Sequence, residues 1–311
     1  MNEARYREAE RRLWDSVGVT PSERRVFLKR ARATVRIQEV GEGEPIVFLA
    51  GVSNGGSSWA DLVARLEGFR CVIVDKPGTG LSDRFPDRFT FETLAAFADG
   101  HVSDILDAVG LERAHVVSTS YGGYAALRSA AASPERIDRI VEFGWLTGAP
   151  TAKMPLFMRV ATIPALSRLM TSMPAPESAV RSMFKQIGLR EALAAGRISQ
   201  EAIDWYRSQL NDTDTMRNEM DAGPRVITLK GMDEQIYLSD DLLASIQTPI
   251  YFLWGENDPF GGADIARAFA AKLPNAELEL LPGAGHAVWL DDPDKAAEVT
   301  KSFLSDRAPA R

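Results

Sequence analysis

Ala114-His115-Val116-Val117-Ser118-Thr119-Ser120-Tyr121-Gly122-Gly123-Tyr124 is the stretch on which the reading of this chain turns. An apolar strand over 114–119 runs into an Ala-rich segment, 121–132, that reads as a helix. A serine hydroxyl is a poor nucleophile unless it is presented bare to a base and to donors for the developing oxyanion. A very tight strand-to-helix turn presents it so, at the cost of a strained backbone that requires small residues two before and two after. Ser118 and Gly122 fill those positions, and Gly123 lets the helix lie close to the sheet. The helix N-terminus adds a partial positive charge beneath the reacting oxygen. The usual pattern is G-x-S-x-G, so Ser118 stands where glycine is expected. Two rival readings remain: Ser120 as an ordinary helix N-cap, and Ser118 as the nucleophile, although it lies within the strand pattern.

Outward from this point the chain alternates. Strands are predicted over Val35–Val40 and Ile46–Ala50, flanking Gly41-Glu42-Gly43, and over 71–75, 137–143, Pro249–Trp254 and Ala276–Leu281. Helices are predicted from near Trp59, over about 90–109, over Ala263–Leu273 and near 293–305. Strand, crossover helix, strand is the pattern of an α/β fold with a mostly parallel sheet covered by helices on both faces. Residues 146–245 break the rhythm with helical stretches interrupted by Pro150, Pro155, Pro164, Pro174, Pro176 and Pro224. They are expected to form an inserted helical cap on a core of 31–145 and 246–311. Residues 1–30 are expected to be an N-terminal helical extension. Over 2–16 its Tyr6, Ala9, Leu13 and Trp14 share one stripe and charges fill the rest, so it is expected to pack on the main domain.

The chain has three histidines. His115 starts the strand that ends at Ser120, roughly 16 Å away. His101 lies mid-helix. His286, in Leu281-Pro282-Gly283-Ala284-Gly285-His286, follows the last strand, at the rim where open parallel sheets carry their chemistry. His286 is therefore the expected base. A buried carboxylate would fix its tautomer and stabilise the imidazolium. Asp258, in Trp254-Gly255-Glu256-Asn257-Asp258-Pro259, is the expected acid, with Glu256, Asp264 and Glu142 as rivals. The oxyanion donors are expected to be the backbone N–H groups of Tyr121 and of Val52, in the loop Gly51-Val52-Ser53-Asn54-Gly55-Gly56-Ser57-Ser58-Trp59. The competing reading of that loop is a flexible turn with a helix cap at Ser57 or Ser58.

Composition narrows the partners. The 311 residues are 45% hydrophobic and 25% charged, with a formal charge of −7. That balance argues against nucleic acid and against an anionic membrane surface. The charged N-terminus lacks a secretory pattern. The most apolar long segment, 154–170, is broken by Arg159 and Arg168, so no membrane span is expected. The single cysteine, Cys71, sits in an apolar run as a buried thiol. A cytoplasmic protein is expected. With three histidines, one cysteine and no HExxH motif, no metal is expected; nor is any other cofactor, and the partner is a small-molecule substrate. Eight of the nine methionines fall between 154 and 232. Met is adaptable apolar filler, so Trp145, Met154, Phe157, Met158, Met183, Phe184 and Trp205 are expected to line an apolar pocket. Core packing between cap helices is the equal alternative.

On these residues, the sequence from about 33 to its end resembles the cap-bearing branch of the α/β-hydrolase superfamily. Asp75-Lys76-Pro77-Gly78-Thr79-Gly80-Leu81-Ser82-Asp83 is similar to the D-x-P-G-x-G-x-S segment of those enzymes, where it is structural. Two features depart from the family pattern: Ser118, and Ala50-Gly51 where many relatives carry His-Gly. Serine at the nucleophile position sets the chain apart from the haloalkane dehalogenases and epoxide hydrolases, which need a carboxylate there. The resemblance implies ester hydrolysis through an acyl-enzyme. Lactone, amide or carbon–carbon cleavage with the same triad, a cofactor-free lyase or oxygenase, and a ligand receptor are the alternatives.

Overall fold

The computed structural model describes residues 1–152, 163, 173–224, 226–228 and 231–305. Ten strands are present among them: β1 (Ser22–Leu28), β2 (Ala33–Val40), β3 (Glu44–Leu49), β4 (Phe69–Val74), β5 (Ala114–Ser120), β6 (Ile137–Leu146), β7 (Ile227–Thr228), β8 (Gly231–Met232), β9 (Ile250–Gly255) and β10 (Ala276–Leu281). Eight of these form one sheet in the order β1-β2-β4-β3-β5-β6-β9-β10, while β7 and β8 form a separate two-stranded ribbon. Only β2 runs against its neighbours in the large sheet; from β4 through β10 every pairing is parallel. Helices α1 (Glu3–Ser16), α2 (Ala60–Val63), α3 (Phe91–Val109) and α4 (Tyr121–Ala132) precede β6. The helices Ala263–Ala270 and Pro293–Ser305 cross over or follow the last two strands.

The sheet is parallel because both of its faces are covered. Along β3, Ile46 and Phe48 belong to one apolar cluster, while Val47 and Leu49 belong to the other. Successive strand side chains point to opposite faces, so strands apolar at every position must be buried twice. Helices α3 and α4 cover one face; α1, α2 and Pro293–Ser305 cover the other. Cys71 lies in the second cluster, and burial pushes its thiol up to about 12. No helix among the described residues is long and apolar enough to cross a membrane.

Between β6 and β9 the described residues are mainly helical: Glu177–Gln186, Arg190–Ala194, Gln200–Asp212, Thr215–Ala222 and Asp240–Ser245. Met154, Phe157 and Met158 lie outside the described residues.

One expectation needs correction. Residues 1–30 are not wholly helical: β1 occupies Ser22–Leu28 and pairs antiparallel with β2. It escaped the pattern because it is an edge strand, exposed from Ser22 to Arg25, so its polar residues show no buried face. The charges that lie outside the apolar stripe of α1 are not all exposed. Glu10 is buried beside Tyr6, Ala9, Leu13 and Trp14. Its carboxylate accepts from Arg36 Nη2 at 2.6 Å and Nη1 at 2.7 Å, and from Ser57 Oγ at 2.7 Å. Arg36 is only 1% exposed and donates from Nε to Asp75 Oδ2 at 2.8 Å. Trp14 Nε1 donates to Ser57 Oγ at 3.0 Å.

A buried ion pair that loses one partner leaves an uncompensated charge, which costs roughly 3–5 kcal/mol. Arg36→Met is therefore expected to lower unfolding free energy by about that amount in urea titration, because Glu10 and Asp75 both lose their cation. Breaking the exposed Arg11–Glu8 pair should cost about 1 kcal/mol or less. Equal effects from the two variants would contradict this account of how α1 is anchored.

Candidate active site

β5 ends in Ser120, whose φ of 55° and ψ of −117° depart from the strand geometry before it and the helix after it. Positive φ in a residue with a Cβ costs on the order of 1–3 kcal/mol and persists only where the surroundings hold it. Here they do. The pairing of β5 with β6 shifts register between Thr119 and Ser120. Thr147 N then donates to Ser120 O at 3.1 Å, and Thr119 Oγ1 donates to Phe143 O at 2.8 Å. Gly51, at the exit of β3, lies so near that a Cβ there would sit 3.0 Å from Ser120 Cβ. The Ser120 side chain does not cap α4, so the N-cap reading has no hydrogen bond to support it.

Two and three strands further along the sheet, Asp258 follows β9 and His286 follows β10. His286 Nδ1 lies 2.8 Å from Asp258 Oδ2. Asp258 is 4% exposed and also accepts from Trp145 N at 2.9 Å (Oδ2) and Phe260 N at 2.9 Å (Oδ1). A carboxylate accepts and does not donate, so the tautomer that suits this contact has its proton on Nδ1 and leaves Nε2 as the acceptor. Gly144 makes room for this pair: its φ is +73°, and a Cβ would fall 2.4 Å from His286 O and 3.2 Å from Asp258 Oδ2. The imidazole is walled by Phe260, edge-on at 4.6 Å, and by Trp145 at 6.3 Å between ring centroids. His286 N donates to Ile187 O at 2.8 Å, tying the loop to the helical segment. The end of β6 is shared by both halves of the site, since Thr147 bonds Ser120 and Trp145 bonds Asp258. No hydrogen bond among the described residues joins Ser120 Oγ to the imidazole; catalytic hydrogen bonds often close only when substrate is bound.

The rivals lie elsewhere. Glu256 and Asp264 are exposed. His101 is buried in α3 against Phe97, and burial pushes it down to about 4. His115 is at the start of β5, 3.7 Å from Glu44.

Val52 is 53% exposed at the turn after β3. Tyr121 is the first residue of α4, where N–H groups lack an intrahelical partner. Of the expected pocket residues, Trp145 stands at the imidazole. Phe184 and Trp205 instead pack on Tyr206, with Trp205 also meeting Tyr6 of α1, and Met183 packs against the same cluster. Phe260 was not anticipated; its position two residues after Asp258 is the signal that would have found it.

Residues 46–299 match the alpha/beta hydrolase family. The chain is 30% identical over 268 residues to 2-hydroxy-6-oxononadienedioate/2-hydroxy-6-oxononatrienedioate hydrolase 2 of Pseudomonas putida, covering 81% of this chain and 85% of that one. It is 26% identical over 283 residues to hydrolase 1 of the same description from Dechloromonas aromatica, covering 86% and 89%. Among solved structures, carboxylesterase CesB of Bacillus subtilis superposes with a TM-score of 0.76 at 18% identity, over 98% of this chain and 99% of that one. The 2-hydroxy-6-oxo-6-phenylhexa-2,4-dienoate hydrolase of a Rhodococcus superposes with a TM-score of 0.72 at 20% identity, over 92% and 99%.

Beneath the elbow lies Glu142, fully buried on β6 and bonded to the Ser118 hydroxyl. Burial pushes its carboxyl well above the usual range, against which the Ser118 hydroxyl and the Ser120 backbone act. A folded-state pKa raised above the unfolded one means that the folded protein binds the extra proton. The associated stability is full below the unfolded value near 4.5 and is lost as pH rises through the folded value. Glu142→Gln keeps the shape without the proton. The stability of this variant relative to wild type should rise with pH above about 5, by at most roughly 1.4 kcal/mol per unit. Urea midpoints across that range measure it, and a flat difference would show that Glu142 does not take up a proton on folding.

Proposed function

Because the chain belongs to the alpha/beta hydrolase family and is an enzyme of that type, we propose that it is a serine hydrolase with Ser120 as nucleophile, His286 as base and Asp258 as the acid that orients it. The observation that carries the reading is the strained Ser120 elbow, sharing the end of β6 with a buried Asp258–His286 pair bonded at 2.8 Å. Ser120 Oγ attacks the carbonyl carbon while His286 Nε2 takes its proton. Asp258 stabilises the imidazolium that forms. The oxyanion lies between the N–H groups of Val52 and Tyr121. The imidazolium then protonates the leaving group, and water, deprotonated by His286, releases the acid and restores Ser120.

The substrate is proposed to be a small apolar ester. Trp145 and Phe260 support this by making the imidazole's surroundings aromatic. The segment 146–245 is proposed as the cap over it. A second reading, carbon–carbon cleavage of a vinylogous diketone by the same residues, is favoured by the similarity to the 2-hydroxy-6-oxononadienedioate/2-hydroxy-6-oxononatrienedioate hydrolase of Pseudomonas putida. A panel of neutral esters and vinylogous diketones, compared by kcat/KM, separates the two.

Ser120→Ala is expected to lower kcat by about 10⁴- to 10⁶-fold and to abolish labelling by a fluorophosphonate, with an unchanged far-UV circular dichroism spectrum. Asp258→Asn should lower kcat by about 10⁴-fold while leaving the protein folded. Retention of labelling by the alanine variant would overturn the nucleophile assignment.

A further inference from the structure

The loop after β3 is held at both sides of Val52 by side chains from outside it. Lys76 Nζ donates to Gly51 O at 3.0 Å. Ser53 N donates to Glu219 Oε2 at 2.5 Å, and Ser53 Oγ lies 3.1 Å from the same oxygen. Gln209 Nε2 donates to Ser53 O at 2.5 Å, and Gly55 N donates to Gln209 Oε1 at 3.2 Å. Glu219 Oε1 also bonds Lys76 Nζ, and the two charged side chains are only 12% and 13% exposed. Gln209 and Glu219 belong to the helices Gln200–Asp212 and Thr215–Ala222, so two of these three holding residues come from the helical segment and not from the sheet domain.

A peptide unit is planar, and its C=O and N–H point in opposite directions. Pinning Gly51 O to Lys76 therefore aims the Val52 N–H the opposite way. The next unit is pinned through Ser53 N on Glu219, which fixes Val52 from its other side. Ser53 has a φ of +60°. With Arg32 and Ser120 it is one of three non-glycine residues at positive φ among the described residues, and two of the three lie at this site. Such strain persists where surrounding bonds over-determine it and marks functional positions.

We infer that Glu219 is a positioning residue for the Val52 N–H, acting with Lys76 and Gln209, so that the oxyanion site is complete only when the helical segment is seated on the loop. This rests on the reading of Val52 as an oxyanion donor. Glu219 has a double role: its carboxylate accepts the Ser53 N–H and neutralises the lysine that holds Gly51 O. A simple latch between the two parts of the molecule would affect stability or substrate entry. A positioning role falls on the transition state.

The test uses the full chain and whichever panel substrate the wild type turns over fastest. Glu219→Ala is expected to lower kcat roughly 100-fold with KM within about threefold. A trifluoromethyl ketone, whose serine adduct carries the oxyanion, should bind weaker by the same factor, about 2.7 kcal/mol. Glu219→Gln keeps an acceptor for Ser53 N–H and should recover most of the rate. Lys76→Met carries the same expectation as Glu219→Ala and decides the matter if that variant does not fold. An unchanged kcat, or a loss confined to KM, would overturn the inference. Fluorophosphonate labelling of the wild type distinguishes the two levels. Failure to label Ser120 removes the serine reading and this one with it, whereas labelling with unchanged kcat in the variants removes this one alone.

Discussion

The backbone of Ser120 is the constraint around which the rest is arranged. A residue with a Cβ at φ 55° is unfavourable alone. It persists because β6 changes register beside it, because Gly51 leaves room against its side chain, and because Thr147 captures its carbonyl. These groups sit at the exits of β3 and β6, so the elbow requires the assembled parallel sheet. The same sheet carries the Asp258 and His286 loops to that rim, and the end of β6 ties both halves together.

Two buried carboxyl groups have different surroundings here. Two backbone amides and an imidazole meet the oxygens of Asp258. Glu142 is as deeply buried and meets the Ser118 hydroxyl and the Ser120 backbone, while its Oε1 has no partner among the described residues, and burial pushes its carboxyl well above the usual range. This also gives Ser118 a reason to stand where glycine is usual: its hydroxyl is the partner of Glu142.

The loop after β3 is where the parts of the molecule converge. Asp75 accepts from Gly56 N at 2.7 Å while it pairs with Arg36, and Arg36 pairs with Glu10 of α1. The opposite end of the loop is bound by Gln209 and Glu219. α1 itself reaches the helix Gln200–Asp212, with Asn2 N donating to Asp212 O at 2.6 Å. The N-terminal helix, the sheet and the helical segment therefore share one polar junction, and a change in any of them reaches the loop.

Periodicity and rare residue types were legible in the sequence. Strands apolar at every position and alternating with helices announced a sheet buried on both faces, and a chain with three histidines left one after the last strand of that sheet. Ser120, Asp258 and His286 stand out as candidates because each lies at or just after a strand end, which is a local signal. Partners of charges could not be read that way. Glu10, Lys76, Gln209 and Glu219 carry no local sign of their partners in sequence, and the Ser53–Glu219 bond spans 166 positions. Strand β1 was hidden for a related reason, since an exposed edge strand has no buried face to mark it. Local pattern records which face of a segment is buried. Which carboxylate meets which cation is decided only when the chain closes, because it depends on distances between segments that sequence spacing does not encode.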